Sequence, residues 1–252
     1  MKCTKALVKN LQTLALQDFF KKRDPLSSSR KEYKFLIPME TLPEIIKFLK
    51  KDFLAITDKS NYIHKYLTFY YDTPDYKFFH LHRQGKYNRI KIRIREYQTL
   101  MCNSFIECKR KIKGKKTKKY RVKITNQDKD VLNQNFIKKN LARHNLTKDN
   151  LKNTLQIGYS RIFLLAKDFS KRLSLDFNLK ARNEKNEKIN IMPKHVILEI
   201  KAKTVPKKII TYLKREHKIR QSGFSKYCIG LCLLNKELKS NKWKQVLKYH
   251  YA

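Results

Sequence analysis

Acidic residues are scarce in this sequence: 21 Asp and Glu stand against 60 Lys and Arg in 252 residues, a formal net charge of +39. The excess is far larger than solubility requires. A field of this strength attracts partners that carry phosphate, such as nucleic acid, nucleotides, polyphosphate or anionic lipid. A lysine-rich surface in contact with water would carry the same charge without a function. The positions of the cations are therefore more informative than their number.

The chain also lacks long apolar runs and a metal-type arrangement of cysteines. No run of 18 or more apolar residues occurs and the N-terminus does not resemble a signal peptide, so no transmembrane segment is predicted. Among the five cysteines, only Cys228 and Cys232 lie close together, at a spacing that suits one helix face better than a zinc site. Reduced thiols in a cytoplasmic protein are the simplest interpretation.

Alternation of apolar and charged residues is the clearest pattern in the sequence. Residues 89–97 read Arg-Ile-Lys-Ile-Arg-Ile-Arg-Glu-Tyr. Because a strand points successive side chains to opposite faces, the cations share one face and the isoleucines share the other. Related patterns predict further strands at 30–37, 66–71, 104–111, 118–124, 158–166, 171–180 and 195–203.

Helical patterns occur near both ends and in the middle of the chain. Residues 6–22, a segment starting at Pro43, and residues 206–220 have the spacing of amphipathic helices, and 126–156 is interpreted as a helical lobe. Many consecutive strands with separate helices indicate an α+β fold with a mostly antiparallel sheet. The 41% of hydrophobic residues is enough to build one large domain.

The charged strand faces have two interpretations. An antiparallel sheet with one buried face and one face in water gives this alternation without any function. However, most of the faces are dominated by cations, and their carboxylates are few and isolated. If the sheet closes, these faces line a lumen in which an anion has to neutralise the crowded cations.

Eight short motifs in this chain resemble those of the VTC domain. This is the polyphosphate polymerase domain of the vacuolar transporter chaperone complex, which is also found as stand-alone bacterial proteins. In order along the chain, the motifs are Arg30–Phe35, Tyr70–Asp75, Lys91–Tyr97, Phe105–Lys109, Tyr159–Arg161, Arg172–Asp176, Leu198–Lys201 and Phe224–Tyr227. The family belongs to the triphosphate tunnel metalloenzymes, which are related to the CYTH phosphatases.

The resemblance implies a fold and an activity. The expected fold is α+β, a closed antiparallel β-barrel of about eight strands, the triphosphate tunnel fold, with helices packed around the outside. The expected activity is ATP-dependent inorganic polyphosphate synthesis, in which the γ-phosphate of ATP passes to a polyphosphate chain inside a basic tunnel with Mn²⁺ or Mg²⁺. Expected partners are ATP and inorganic polyphosphate. No specific nucleic acid is expected, peripheral contact with anionic lipid stays open, and the oligomeric state is not predicted.

The resemblance also assigns roles to individual residues. The residues expected to act on the transferred phosphate are Arg93, Arg95, Lys109, Arg161, Lys201 and Lys226. The residues expected to bind substrate are Lys34, Lys91, Lys119, Arg121, Tyr159, Arg172 and Ser225. The expected metal ligands are Glu199 and Glu107, because Mg²⁺ and Mn²⁺ prefer carboxylate oxygens. Glu32 and Asp176 are second choices for this role, with salt bridges inside the tunnel as the other interpretation.

Domain boundaries follow from the extent of the resemblance. Residues 1–27 are predicted to be an N-terminal helical extension, 28–235 a VTC-type tunnel domain with a helical insertion near 126–156, and 236–252 a C-terminal helical tail.

Arg30 departs from the pattern of the related hydrolases. It occupies the first Glu position of their Glu-x-Glu-x-Lys motif, so a carboxylate is lost and a cation gained. This exchange favours the polymerase branch. The alternatives are a metal-dependent triphosphate or polyphosphate hydrolase on the same tunnel, and a non-catalytic protein that binds polyphosphate or RNA.

Overall fold

The structure is a computed structural model that describes residues 11–15, 18, 30–99, 103–112, 117–125, 134–142 and 146–251. The strands in this part of the chain are β1 (Thr13–Ala15), β2 (Lys31–Pro38), β3 (Phe53–Thr57), β4 (His64–Asp72), β5 (Ile90–Tyr97), β6 (Ser104–Lys111), β7 (Thr117–Ile124), β8 (Lys152–Ala166), β9 (Lys171–Asn183), β10 (Lys188–Ile191) and β11 (His195–Ala202). The helices are α1 (Leu42–Leu49), α2 (Lys77–Arg83), α3 (Gln134–Leu141), α4 (Lys207–His217), α5 (Lys226–Leu234) and α6 (Lys244–Tyr251). None of these helices has the length and apolar character needed to cross a membrane.

The strands form one sheet with the order β2-β11-β9-β8-β4-β5-β6-β7. All neighbours along this path are antiparallel. Outside the path, β10 pairs with β9, β3 pairs with β8, and β1 runs parallel to β3. The predicted α+β class with an antiparallel sheet is therefore confirmed.

The predicted closed barrel of about eight strands is wrong. The described sheet has 11 strands and is open between β2 and β7. The outer edge of β2 is occupied by a later segment instead, since Ser222 N donates to Lys34 O at 2.7 Å and Phe35 bridges to Gln221. The sheet nevertheless curls until its two ends approach, because Lys109 Nζ on β6 lies 3.2 Å from the Glu32 carboxylate on β2.

Predicted and observed elements also differ in several segments. Where a helix was predicted over 6–22, residues 13–15 form strand β1, and most of the remainder lies outside the described residues. The insertion near 126–156 contains helix α3, but its last residues belong to β8, which begins at Lys152. The short elements β3, β10 and α2 were not predicted. The domain boundaries stay a prediction.

Helices cover the apolar, convex face of the sheet. Helix α1 has Pro43 in its first turn, where proline is favoured, and it buries Ile45 and Leu49 against β2, β9 and β11. Helix α4 adds Leu213 to the same cluster. Helix α3 covers the isoleucine face of β5 through Ile137. The burial of this face leaves the charged face of each strand on the concave side.

Helix α5 lies inside the concavity. Its residues are apolar on all sides and buried from Tyr227 to Leu233, as expected for a helix surrounded by a core. The Tyr227 ring stacks on Tyr70 of β4 at 5.1 Å, and its hydroxyl donates to the buried Asp72 carboxylate. A Cβ on Gly230 would meet Leu155 of β8 at 2.9 Å, so the helix and the sheet are in close contact. Apolar packing therefore fills one end of the concavity, and the polar part begins at the N-terminus of α5.

Candidate functional site

The concave face collects cations from six strands and from the start of α5. The cations with contacts on this face are Lys34, Lys91, Arg93, Arg95, Lys109, Lys119, Arg121, Arg161, Lys201 and Lys226. The carboxylates among them are Glu32, Glu107, Asp176 and Glu199. The described contacts thus join nine of these ten cations to four carboxylates, while Lys91 contacts a hydroxyl, and a positive excess remains inside the curled sheet.

Glu107 on β6 is the centre of the first cluster. Its carboxylate is 2% exposed and lies 2.7 Å from Arg93 and 2.7 Å from Lys119. Arg95 and Arg121 approach it at 3.9 Å and 3.6 Å. Burial alone would raise the pKa of Glu107, but the surrounding cations hold this pKa well below its ordinary value. Glu107 is therefore charged, and it holds four cations in place.

Asp176 on β9 is the centre of the second cluster and is fully buried. Arg161 Nη2 donates to it at 2.7 Å, and Arg161 Nε and Lys226 Nζ make further close contacts. Burial opposes ionisation, yet Arg161 and Lys226 lower the pKa of Asp176 to about 2. This carboxylate is fully buried and both of its oxygens contact cations, so it is poorly placed to bind a metal ion.

Glu199 and Glu32 form the third cluster, on β11 and β2. Glu199 lies 2.6 Å from Lys201 and 3.7 Å from Lys34, and its side chain is 12% exposed. Burial alone would raise the pKa of Glu199, but Lys201 and Lys34 hold this pKa well below its ordinary value. Burial lowers the pKa of Lys201 to about 8, against the opposite pull of the two carboxylates. Glu32 is 32% exposed, and its negative charge acts on Glu199 across the pair of strands.

The first residues of α5 carry further polar contacts. Ser225 caps the helix by accepting the Cys228 N–H at 3.4 Å, and it also accepts a hydrogen bond of 2.9 Å from Lys91 Nζ. Lys34 Nζ donates to the Phe224 carbonyl oxygen at 3.3 Å. Burial lowers the pKa of Lys91 to about 7.

Three buried hydroxyls on the concave face have no hydrogen-bond partner in the described part of the chain. They belong to Tyr66, Thr68 and Tyr159. Tyr66 stacks on Tyr159 at 5.1 Å, and the Arg161 guanidinium lies 5.5 Å from the Tyr66 ring. Buried polar groups normally have partners, so these three hydroxyls are hydrogen-bonding groups that the described residues leave unused. Tyr66 and Thr68 were not predicted, although the alternation of residues 64–70 could have placed them on this face.

The structure brings the predicted residues together on one face. Arg172 on β9 pairs directly with Lys201, at the same edge of the site. The two predicted metal ligands do not meet, because Glu107 and Glu199 lie in separate clusters with different cation partners. Within the described residues, no group of three or more His, Cys, Asp or Glu side chains could hold a metal ion.

A curled antiparallel sheet with an inward-facing set of cations defines a class of anion-binding folds. The sequence identifies the family within that class, because residues 29–235 match the VTC domain. The chain therefore belongs to the VTC domain family.

One of the solved structures has a similar fold at low sequence identity. The chain is similar to a candidate adenylate cyclase from Bacillus halodurans with a TM-score of 0.52 and 15% identity, covering 79% of this chain and 96% of that one. It is also similar to HpAC1 from Hippeastrum, a candidate adenylyl cyclase with a dominant triphosphatase activity, with a TM-score of 0.46 and 15% identity over 81% and 96% of the two chains. None of the curated proteins matches the chain.

Proposed function

We propose that this chain is an ATP-dependent inorganic polyphosphate polymerase. In this proposal, the concave face binds the triphosphate of ATP and the end of a polyphosphate chain, and the γ-phosphoryl group passes from one to the other. Phosphoryl transfer requires mainly positioning and stabilisation of charge, and it needs no covalent intermediate on the protein.

The observation that carries the proposal is the charge of the concave face. Ten cations and four carboxylates lie there, and three buried hydroxyls have no partner among the described residues. Crowded cations in a partly buried site are costly unless an anion neutralises them. A chain of phosphates supplies many acceptor oxygens and negative charges in a narrow, extended shape, which suits a curled sheet.

The contacts suggest how the work is divided among the residues. Arg93 and Arg95 are held by Glu107, and Arg161 and Lys226 are held by Asp176. Guanidinium groups positioned in this way can bind phosphate oxygens in pairs and keep their charge at all relevant pH values. Lys201 and Lys34 lie on the opposite wall, beside Glu199.

In this proposal a divalent metal ion would be held by Glu199 and Glu32, in place of their present lysine contacts. Mg²⁺ is commonly held by one or two carboxylates together with phosphate oxygens and water, so two carboxylates on neighbouring strands are sufficient. Glu107 is less suitable than was predicted, because four cations surround it. A bound Mn²⁺ or Mg²⁺ would neutralise charge on the phosphates and polarise the transferred group. Lys201 and Lys34 keep Glu199 ionised, which is the form that binds metal.

One observation favours a second candidate function, metal-dependent triphosphate hydrolysis. Helix α5 fills one end of the concavity with apolar side chains. A short triphosphate would not have to pass that end, as a long polymer would, and water would then be the acceptor.

The two functions are separated by their products. Purified protein is incubated with ATP and either Mn²⁺ or Mg²⁺, and the products are separated on a gel and assayed for free phosphate. Long polyphosphate with ADP supports the polymerase, and free phosphate without polymer supports the hydrolase. An Arg93→Ala variant is expected to lose either activity while it remains folded. If neither product forms with any divalent metal, both candidates are wrong.

The proposed location is the cytoplasm. Cys108, Cys228 and Cys232 are buried free thiols, which suits a reducing compartment. Contact with anionic lipid stays a prediction that nothing in the described residues tests.

A further inference from the structure

Lys91 and Ser225 form an amine–hydroxyl pair beside the phosphate-binding clusters. Lys91 Nζ lies 2.9 Å from Ser225 Oγ, although the two residues are 134 positions apart in the sequence. Ser225 is 5% exposed. The pair is therefore built by the tertiary fold, where β5 meets the start of α5 inside the concavity.

Lys91 differs from the other cations of the site in its partners. Among the described residues, Arg93, Lys109 and Lys119 each contact a carboxylate, whereas the contact of Lys91 is with a hydroxyl. Burial lowers the pKa of Lys91 to about 7, and the neighbouring cation Lys34 acts in the same direction. Near neutral pH, a large fraction of this amine is uncharged, and an uncharged amine can accept the hydroxyl proton.

The surroundings of Ser225 suit a phosphate group on its oxygen. Ser225 is the N-cap of a helix of nine residues, where backbone N–H groups favour negative charge. Lys34 is held nearby by the Phe224 carbonyl oxygen. The Tyr159 hydroxyl, 4% exposed and without a partner in the described chain, belongs to a ring 4.9 Å from Lys226 Nζ. This hydroxyl is therefore a hydrogen-bond donor, close to the first residue of the helix, that the described residues leave unused.

Building on the proposed function, we propose that Ser225 is the first phosphoryl acceptor when no polyphosphate chain is bound. Ser225 Oγ forms a bond to the γ-phosphorus of ATP, and the bond between that phosphorus and the β–γ bridging oxygen breaks. The electron pair of the broken bond leaves with ADP, and the hydroxyl proton passes to Lys91 Nζ. The products are ADP and a phosphoserine at position 225, which starts the reaction without an added primer.

The test uses the full chain with ATP and Mn²⁺, and no polyphosphate is added. After quenching, the intact mass and a peptide map are measured over time, together with ADP and polymer. We expect the mass gain of one phosphoryl group at Ser225 before polymer accumulates. This measurement on the unmodified protein needs no variant.

Ser225 is both the proposed nucleophile and the helix cap, and Lys91 is both the proposed base and a positive charge. Matched variants test each of these roles separately. Ser225→Thr keeps the hydroxyl and the cap, so it is expected to be phosphorylated. Ser225→Asn keeps a capping oxygen but has no nucleophile, so it is expected to remain unmodified. Lys91→Arg keeps the cation but cannot accept a proton, and we expect phosphorylation to slow by about 100-fold.

The outcomes distinguish this inference from the function on which it rests. Polymer formed without phosphoserine, or unprimed synthesis by Ser225→Asn at the unmodified rate, overturns the role of Ser225 and leaves the polymerase proposal standing. A phosphate mapped to another residue also overturns it. If the protein neither consumes ATP nor becomes phosphorylated, both proposals fail.

Discussion

The Glu107 cluster and the Glu199 cluster lie on opposite walls of the concavity and use the same chemical groups in different ways. Glu107 is 2% exposed and is surrounded by four cations from two strands, β5 and β7. Glu199 is 12% exposed, has two lysine partners, and lies near a second carboxylate, Glu32. In the first arrangement the carboxylate is almost fully buried among four cations, and in the second it is partly exposed beside two lysines and another acid. Exposure and the number of cation partners are therefore the two properties by which the proposed function assigns Glu107 to holding cations and Glu199 to metal binding.

Removing the acid of the first cluster is expected to have the largest effect. Glu107→Gln leaves four cations without their shared anion, and we expect a loss of about 3 kcal/mol in the free energy of unfolding, measured by urea denaturation. Inorganic triphosphate should restore part of this loss, because it binds the folded state and replaces the missing charge.

A matched control for this variant is Glu184→Gln. The Glu184–Lys152 pair has a distance of 3.0 Å, but its side chains are 38% and 36% exposed. This control should change stability by less than about 1 kcal/mol. Equal losses for the two variants would contradict the role given to Glu107.

Removing Glu199, an acid of the third cluster, should act on turnover more than on stability. Glu199→Gln keeps the shape of the side chain but weakens its binding to a metal ion. We expect turnover to fall by about 100-fold at fixed Mn²⁺, with partial recovery as Mn²⁺ is raised. The measurement is a series of rates over metal concentration. Unchanged rates at every concentration would show that Glu199 is not a ligand.

The next largest effect is expected at low pH, where the carboxylates that are ion-paired in the folded protein become protonated and stability is lost. The folded-state pKa of Asp176 is about 2, whereas its ordinary value is 3.8. Between these values the unfolded chain binds more protons, so this contribution to stability is present above pH 4 and is lost as the pH falls towards 2. The contribution is about 2 kcal/mol, and Glu107 and Glu199, whose pKa values are also lowered, act in the same direction.

The measurement is urea denaturation of the unmodified protein between pH 2 and pH 5. An Asp176→Asn variant is expected to be less stable throughout and to show a shallower slope. A stability that does not change over this range would mean that Asp176 is not held by Arg161 and Lys226 in solution.

The smallest effect is expected at the opening between β2 and β7. The Lys109–Glu32 pair has side chains that are 45% and 32% exposed. Lys109→Met should therefore change the free energy of unfolding by less than about 1 kcal/mol. The measurement is urea denaturation, with the Glu107→Gln variant measured in parallel. A larger loss in the free energy of unfolding would show that this ion pair holds the ends of the sheet together.

The sequence was most informative where the pattern is local. Seven alternating residues in Lys91–Tyr97 are enough to predict a strand and the side chains that share its charged face, since alternation follows from backbone geometry alone. The same reasoning placed the cations of β2, β6, β7 and β11 on one face. The antiparallel class followed from the succession of strands.

The parts that were missed depend on contacts between distant segments. The sheet stays open because Ser222 pairs with the outer edge of β2. No local pattern shows that a segment nearly 190 residues later in the sequence occupies this edge. The different surroundings of Glu107 and Glu199 depend on register, because Glu107 lies opposite Arg93 on one side and Arg121 on the other. The uniformly apolar sequence of α5 indicates burial, but it does not show on which side of the sheet the helix lies.

The open sheet leaves two outer strands, and each is shielded from other chains by a different device. On β2, Ser222 already satisfies the backbone oxygen of Lys34. Among the described residues, β7 pairs only with β6. Four of its eight residues are cations, at positions 118, 119, 121 and 123, and their charge repels the same edge of a second copy of the chain. A polyanion that coats β7 would cancel this repulsion. Solutions of this protein should therefore become more prone to self-association as the anion-to-protein ratio approaches charge balance.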